Sequence, residues 1–124
     1  MSTPKVLVVD DEDAIRESLA EFLLDYEYVV ETARSAEEAL SQCRTMAFDV
    51  VIVDLRLPGI SGDQLALKIN KILPEARYLI HTGSVSFNHT AELEAIGIQP
   101  EHVFMKPIFD MQRLINCIED FAGN

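Results

Sequence analysis

Several hydrophobic runs in this chain end abruptly in residues able to do chemistry. Val6-Leu7-Val8-Val9 gives way to Asp10-Asp11-Glu12-Asp13, and Phe48 to Val53, apolar apart from Asp49, gives way to Asp54. Arg77 to His81 leads into Thr82-Gly83, and Val103-Phe104-Met105 into Lys106-Pro107. A carboxylate behind a strand commonly caps the next helix and favours its positive end, which accounts for about half of the Asp10 to Asp13 pattern. Capping does not explain why Asp54 should end a neighbouring strand at the same edge, because converging carboxylates repel unless a positive charge lies between them. A hard divalent cation resolves the conflict: Mg²⁺ takes one or two carboxylates, a backbone oxygen, waters and a phosphate oxygen. Asp11 and Asp54 are then the side-chain ligands, Lys106 a point charge for a carboxylate or phosphoryl oxygen, and Thr82 a hydroxyl donor. Together these residues suit the binding of a phosphoryl group.

The elements that must carry them follow from hydrophobic period. Lys5–Val9 reads as a strand, and Ile15, Leu19, Phe22 and Leu23 recur at helical spacing behind it. Tyr28–Thr32 alternates as a second strand, and Ser35 with Glu38 predicts a capping box ahead of Ala36, Ala39, Leu40 and Cys43. The Phe48–Val53 run suits a central parallel strand covered on both faces. Pro58-Gly59 breaks the chain, Ser61 can cap, and Leu65, Ile69, Ile72 and Leu73 form a third helical face that Pro74 ends. Arg77–His81 is a fourth strand, followed by a weaker helix from His89 to Ile96 closed by Gly97. Val103–Met105 is a fifth strand, and Ile108, Met111, Leu114, Ile115 and Ile118 predict a last amphipathic helix reaching Phe121. Strict alternation of five strands and five helices predicts an α/β fold, a five-stranded parallel sheet with helices on both faces and right-handed crossovers. In such sheets ligands bind at the carboxyl ends of the strands, where Asp10, Asp11, Asp54, Thr82 and Lys106 fall.

The 124 residues make one domain, 1–124, and the 48% hydrophobic and 25% charged content suits a globular core. A net charge of -11 disfavours nucleic acid and anionic lipid surfaces. No apolar run approaches the roughly 20 residues of a membrane span and no signal-peptide pattern opens the chain, so a soluble cytoplasmic protein is expected. Cys43 and Cys117 have no CxxC spacing and read as core; His81, His89 and His102 read as ordinary strand and helix residues, with no metal argued from them.

Val-Val-Asp10-Asp11-Glu, Asp54-Leu-Arg-Leu-Pro58-Gly59, Thr82-Gly83 and Lys106-Pro107, each at its strand end, make the chain resemble the receiver domain of two-component response regulators over essentially its whole length. That resemblance implies a flavodoxin-like (βα)5 fold and a bacterial phosphorelay signalling domain that assists its own phosphorylation and dephosphorylation rather than an enzyme acting on a separate substrate. Asp54 is then the phosphoacceptor, taking a phosphoryl group from a phosphohistidine of a sensor histidine kinase or a phosphotransfer protein. Asp11 is the direct Mg²⁺ ligand, Asp10 reaches the metal mostly through water, and Arg56 offers its backbone carbonyl. Lys106 pairs with Asp54 and then with the phosphoryl oxygen, toward which the Thr82 hydroxyl moves. The resemblance further implies an output domain or downstream partner, a chain excised from a longer regulator, and a phosphorylation-dependent dimer as one form of response.

Two departures stand out against the family pattern. The aromatic residue that rotates in many receivers, three positions before the lysine, is here Val103; Phe104 should face the other way, into the core. Ile108 replaces the usual phenylalanine after Lys106-Pro107, a conservative change. Arg56 lies where side chains influence water's access to the phosphoryl group, or is simply a solvent-facing partner for carboxylates. Other readings fare worse: a haloacid-dehalogenase-like phosphatase has Asp-x-Asp where this chain has Asp54-x-Arg56, and a flavodoxin-type phosphate loop would not hold four acidic residues. A pseudo-receiver acting without phosphorylation is the remaining alternative.

Overall fold

A computed structural model of the chain describes residues 3–83, 90–106, 108 and 110–122. Its elements run β1 (Lys5–Val9), α1 (Asp13–Asp25), β2 (Val29–Ala33), α2 (Ala36–Thr45), β3 (Val50–Asp54), α3 (Gly62–Ile72), β4 (Arg77–Thr82), α4 (Ala91–Ala95), β5 (Val103–Met105) and α5 (Met111–Ala122), with a 3-10 turn at Pro100–His102. All neighbouring strands are parallel, in the order β2-β1-β3-β4-β5. The order reverses between β1 and β3, so their carboxyl ends flank the crevice where such sheets take ligands.

Strand alternation splits the core in two. Leu7, Val9, Val51, Val53 and Ile80 face α2, α3 and α4, where Ala39, Leu65, Ile69 and Leu93 are buried against them. Val6, Val8, Val50, Ile52 and Leu79 face α1 and α5, packing on Leu19, Leu23, Leu114 and Ile118. Because β3 is buried at every position, it reads as one apolar run rather than an alternating one.

The local signals held in part. Ser35 accepts from the Glu38 N–H at 3.1 Å, but the Glu38 carboxylate takes the Arg34 N–H at 3.2 Å instead of that of Ser35, so only half of the expected box forms. Ser61 occupies the N-cap of α3 without a side-chain hydrogen bond. Gly97, at φ +95, closes α4 with Gly97 N–H to Glu94 O and Ile98 N–H to Leu93 O, both 3.0 Å. β2 begins one residue later than expected, because Tyr28 turns inward to donate its hydroxyl to Glu119 at 2.6 Å. β3 likewise begins at Val50, after the Asp49 carboxylate has accepted the Lys5 N–H at 2.8 Å. Ile108 precedes α5 rather than starting it, since Asp110 caps that helix by accepting the Arg113 N–H at 3.1 Å. His89, expected to open the fourth helix, lies outside the described residues, as does Pro107.

Cys43 is buried and Cys117 half-buried, and both are free thiols. Phe104 is buried on the α1–α5 face, with the Arg113 guanidinium 3.9 Å above its ring, while half-buried Val103 faces the other way. No helix is long and apolar enough to cross a membrane among the described residues.

Candidate functional site

Register assembles the site. Val9 pairs with Val53, so Asp10 and Asp54 emerge side by side, and Asp54 pairs with His81, which pairs with Phe104. Lys106 follows two residues past Phe104, its N–H bonded to the Thr82 carbonyl at 2.8 Å. Thus four strand ends place Asp10, Asp54, His81, Thr82 and Lys106 along one edge.

The two buried carboxylates are held alike. Asp10 Oδ1 accepts the Glu12 N–H at 2.9 Å, and Asp54 Oδ1 accepts the Arg56 N–H at 3.2 Å, each from two residues downstream. Their second oxygens both face the Lys106 ammonium, at 3.1 Å from Asp10 Oδ2 and 3.3 Å from Asp54 Oδ2. Glu12 Oε1 lies 3.4 Å from the same nitrogen. Asp10 is 1% and Asp54 3% exposed, so these charges act with little solvent screening. Burial pushes the Asp54 carboxyl above its usual range, with the Asp10 charge adding to it, against the Arg56 N–H and Lys106. Burial pulls Lys106 down, but its close contacts with the Asp10 and Asp54 carboxylates outweigh this and hold it above the ordinary lysine value.

His81 is not an ordinary strand residue. Its Nδ1 is 3.7 Å from Asp10 Oδ2, and burial, with Lys106 nearby, lowers its pKa to about 4 despite the opposing Asp10 charge. It is therefore neutral at physiological pH. His102, expected in regular structure, instead closes the 3-10 turn by accepting the Gln99 N–H on Nδ1 at 3.0 Å.

Each expected residue can now be placed. Carboxylate oxygens of Asp10, Asp11, Glu12 and Asp54 lie within 4.8 Å of one another, with Asp11 and Glu12 exposed at the mouth. Asp10 Oδ2 is buried and has no hydrogen bond of good angle despite its closeness to the ammonium, which leaves an acceptor directed at the cluster. An all-oxygen donor set with such an orphaned atom fits a hard divalent cation such as Mg²⁺. Thr82 is fully buried at the end of β4, and Arg56 shows its backbone to Asp54 while its side chain is exposed.

Sequence reasoning missed three parts of this edge. Glu12 joins the carboxylates and reaches Lys106. Arg16 is buried beneath the acidic turn, donating to the Asp10 carbonyl at 3.0 Å and to Asp13 Oδ1 at 2.7 Å. A signal for it existed, since Arg16, Leu19, Ala20 and Leu23 form an i, i+3, i+4, i+7 stripe and a charge within it needs a buried partner. Gly62 opens α3 against the Asp54 backbone so closely that a Cβ there would overlap the Asp54 carbonyl oxygen. Nothing in the sequence distinguished that glycine.

Beside the edge, a groove of about 680 Å³ runs between α1 and the start of α5, with Ile15, Phe22, Ile108 and Met111 on its walls and Glu12, His81 and Lys106 at its head.

Comparison with known proteins now adds independent findings. The family model described as the response regulator receiver domain matches residues 6–119. The chain is 38% identical over 80 residues to the response regulator GacA of Pseudomonas syringae, an alignment covering 63% of this chain and 37% of that protein. The chain spans less than half the length of the curated relatives it matches. Among solved structures it is similar to the response regulator TrrA of Thermotoga maritima in complex with Mg²⁺ and BeF, at TM-score 0.81 and 30% identity over 96% of this chain and 99% of that one. It is likewise similar to TrrA in the complex with the histidine kinase ThkA, at TM-score 0.80 and 30% identity over 96% and 98% of the chains.

Proposed function

Since this chain belongs to the response regulator receiver domain family, we propose that Asp54 is its phosphoacceptor and that Mg²⁺ assists the transfer. The observation that carries this reading is the Lys106 ammonium standing between the buried Asp54 and Asp10 carboxylates, with Asp11 beside them. One Asp54 carboxylate oxygen attacks phosphorus as the bond to the phosphohistidine nitrogen breaks, and the imidazole keeps the electron pair. Phosphoryl transfer asks the protein for alignment and charge neutralisation rather than covalent help. The Arg56 N–H fixes the Asp54 carboxylate by its other oxygen. Lys106 releases Asp54 and meets the new phosphoryl oxygen, and Thr82 donates its hydroxyl to another. Bound Mg²⁺, held by Asp10, Asp11, Asp54 and the Arg56 carbonyl, would neutralise charge on the phosphoryl oxygens.

The donor is a histidine kinase or phosphotransfer protein whose helices lie along the α1–α5 groove, bringing the phosphohistidine to its Lys106 end. The TrrA–ThkA complex supports that class of partner. The acyl phosphate adds about 1.5 to 2 negative charges at one edge and biases the loop and helix after Thr82, altering an output domain or partner in the cytoplasm, by dimerisation in one form. With valine at 103 and Phe104 clamped beneath Arg113, this change does not run through an aromatic rotation on β5.

Intact mass after incubation with acetyl phosphate and Mg²⁺ tests the proposal. One added phosphoryl group, lost in Asp54→Asn and with a chelator, is the expected result. No adduct at short times, with acetyl phosphate or a kinase donor, overturns it and leaves an interaction module that acts without phosphorylation.

A further inference from the structure

The acidic turn between β1 and α1 carries four consecutive carboxylates, yet only Asp10 is buried. Mutual repulsion should splay such a turn when no cation is bound, and the Glu12 N–H on Asp10 Oδ1 and the Lys106 ammonium beside Asp10 and Glu12 restrain it from within and from β5. Arg16 supplies a further restraint. The residue is 8% exposed, and its guanidinium reaches back one turn of α1 with one nitrogen on the Asp10 carbonyl and a second on the Asp13 carboxylate, spanning both ends of the turn. A buried guanidinium costs desolvation that only good hydrogen bonds offset, and the rigid fork of arginine makes two at fixed spacing. We infer that Arg16 is a positioning residue that holds Asp10 and Asp11 in the arrangement competent for Mg²⁺, an inference resting on the metal-assisted reading above.

Charge and geometry predict opposite outcomes here. As a positive charge near a cation site, Arg16 weakens Mg²⁺ binding, so its neutral replacement would tighten binding if charge were all that mattered. As a clamp, it strengthens binding, and the loss of such outer supports costs about 10- to 100-fold in metal affinity.

The test is Mg²⁺ titration by calorimetry on the native chain, Arg16→Lys and Arg16→Met, with each folded fraction measured by urea denaturation. Arg16→Lys retains the charge and stem but loses the fork; weakening of the Mg²⁺ Kd by about 10-fold is expected. Arg16→Met, if it folds, should weaken binding at least as much. A purely structural arginine would lower the urea midpoint and leave the Kd of the folded fraction unchanged. That result, or tighter binding in Arg16→Met, overturns the inference. Failure of the native chain to bind Mg²⁺ would overturn the metal-assisted reading itself, and is distinguishable because no variant is needed to see it.

Discussion

Replacing Gly62 by alanine should disable phosphorylation from a position that touches no substrate. An added Cβ would overlap the Asp54 carbonyl oxygen and stand 2.8 Å from both the Asp54 carbonyl carbon and Val53 Cγ1, where ordinary contact begins at 3.4 Å. The backbone of Asp54 or the start of α3 must therefore retreat by at least about 0.6 Å, the difference between those two distances. The retreat is resisted, because the Gly62 N–H is bonded to the Leu55 carbonyl at 2.8 Å and Arg56 bridges Ser61. Such overpacking costs about 1 to 3 kcal/mol of stability. The displacement falls at the carboxylate proposed as phosphoacceptor, where misplacement by about 1 Å can cost roughly 100-fold in rate. Initial rates of mass adduct formation from acetyl phosphate at saturating Mg²⁺, paired with urea denaturation, measure both effects. The expected result is a rate lower by about 10- to 100-fold at protein concentrations corrected for folding. Gly83→Ala, whose Cβ meets nothing within 4 Å, should change stability by less than about 0.5 kcal/mol. Native rate and native stability in Gly62→Ala would refute the packing argument.

Two further outcomes follow from the structure. Because His81 is held neutral, with a folded pKa of about 4 against 6.5 unfolded, the unfolded chain gains a proton that the folded chain refuses as pH falls through this window. The stability that neutral His81 preserves is fully present above pH 6.5 and is lost by about pH 4, up to roughly 3 kcal/mol; in metal-free buffer His81→Gln should lose less between pH 7 and 4.5, and equal losses in the two proteins would count against the assignment. Glu27, just past the end of α1, lies in the left-handed region at φ 64 and is exposed, so Glu27→Gly should raise the unfolding free energy by up to about 1 kcal/mol, read as a higher urea midpoint; a lower midpoint would show that the strain is offset elsewhere.

The periodicity of single segments was enough to place all five strands: β1, β3 and β4 bury runs of β-branched and aliphatic residues wherever their neighbours lie, and the partly exposed β2 and β5 are short strand-forming runs between turns. It also placed the reactive types at strand ends, since polarity changes there for any sheet of this class. Helix starts were less legible. The carboxylate of Glu38 chose Arg34 over Ser35, and the Ser61 side chain made no cap bond, because a cap is settled by sub-ångström geometry at the end of the preceding loop. The Lys106–Asp54 pair was expected, but the sharing of that ammonium with Asp10 and Glu12 was not. That one ammonium serves Asp10, Glu12 and Asp54 follows from register across four strands, a long-range property that local pattern does not encode. The roles of His81 and Gly62 were decided in the same way. A histidine in a strand is unremarkable until pairing sets it beside Asp10, and a glycine at a helix start is interchangeable with alanine until the chain packs its backbone against that of Asp54. Composition and spacing therefore determined the chemistry this protein can attempt, while tertiary packing decided which groups share the work and how closely they are held.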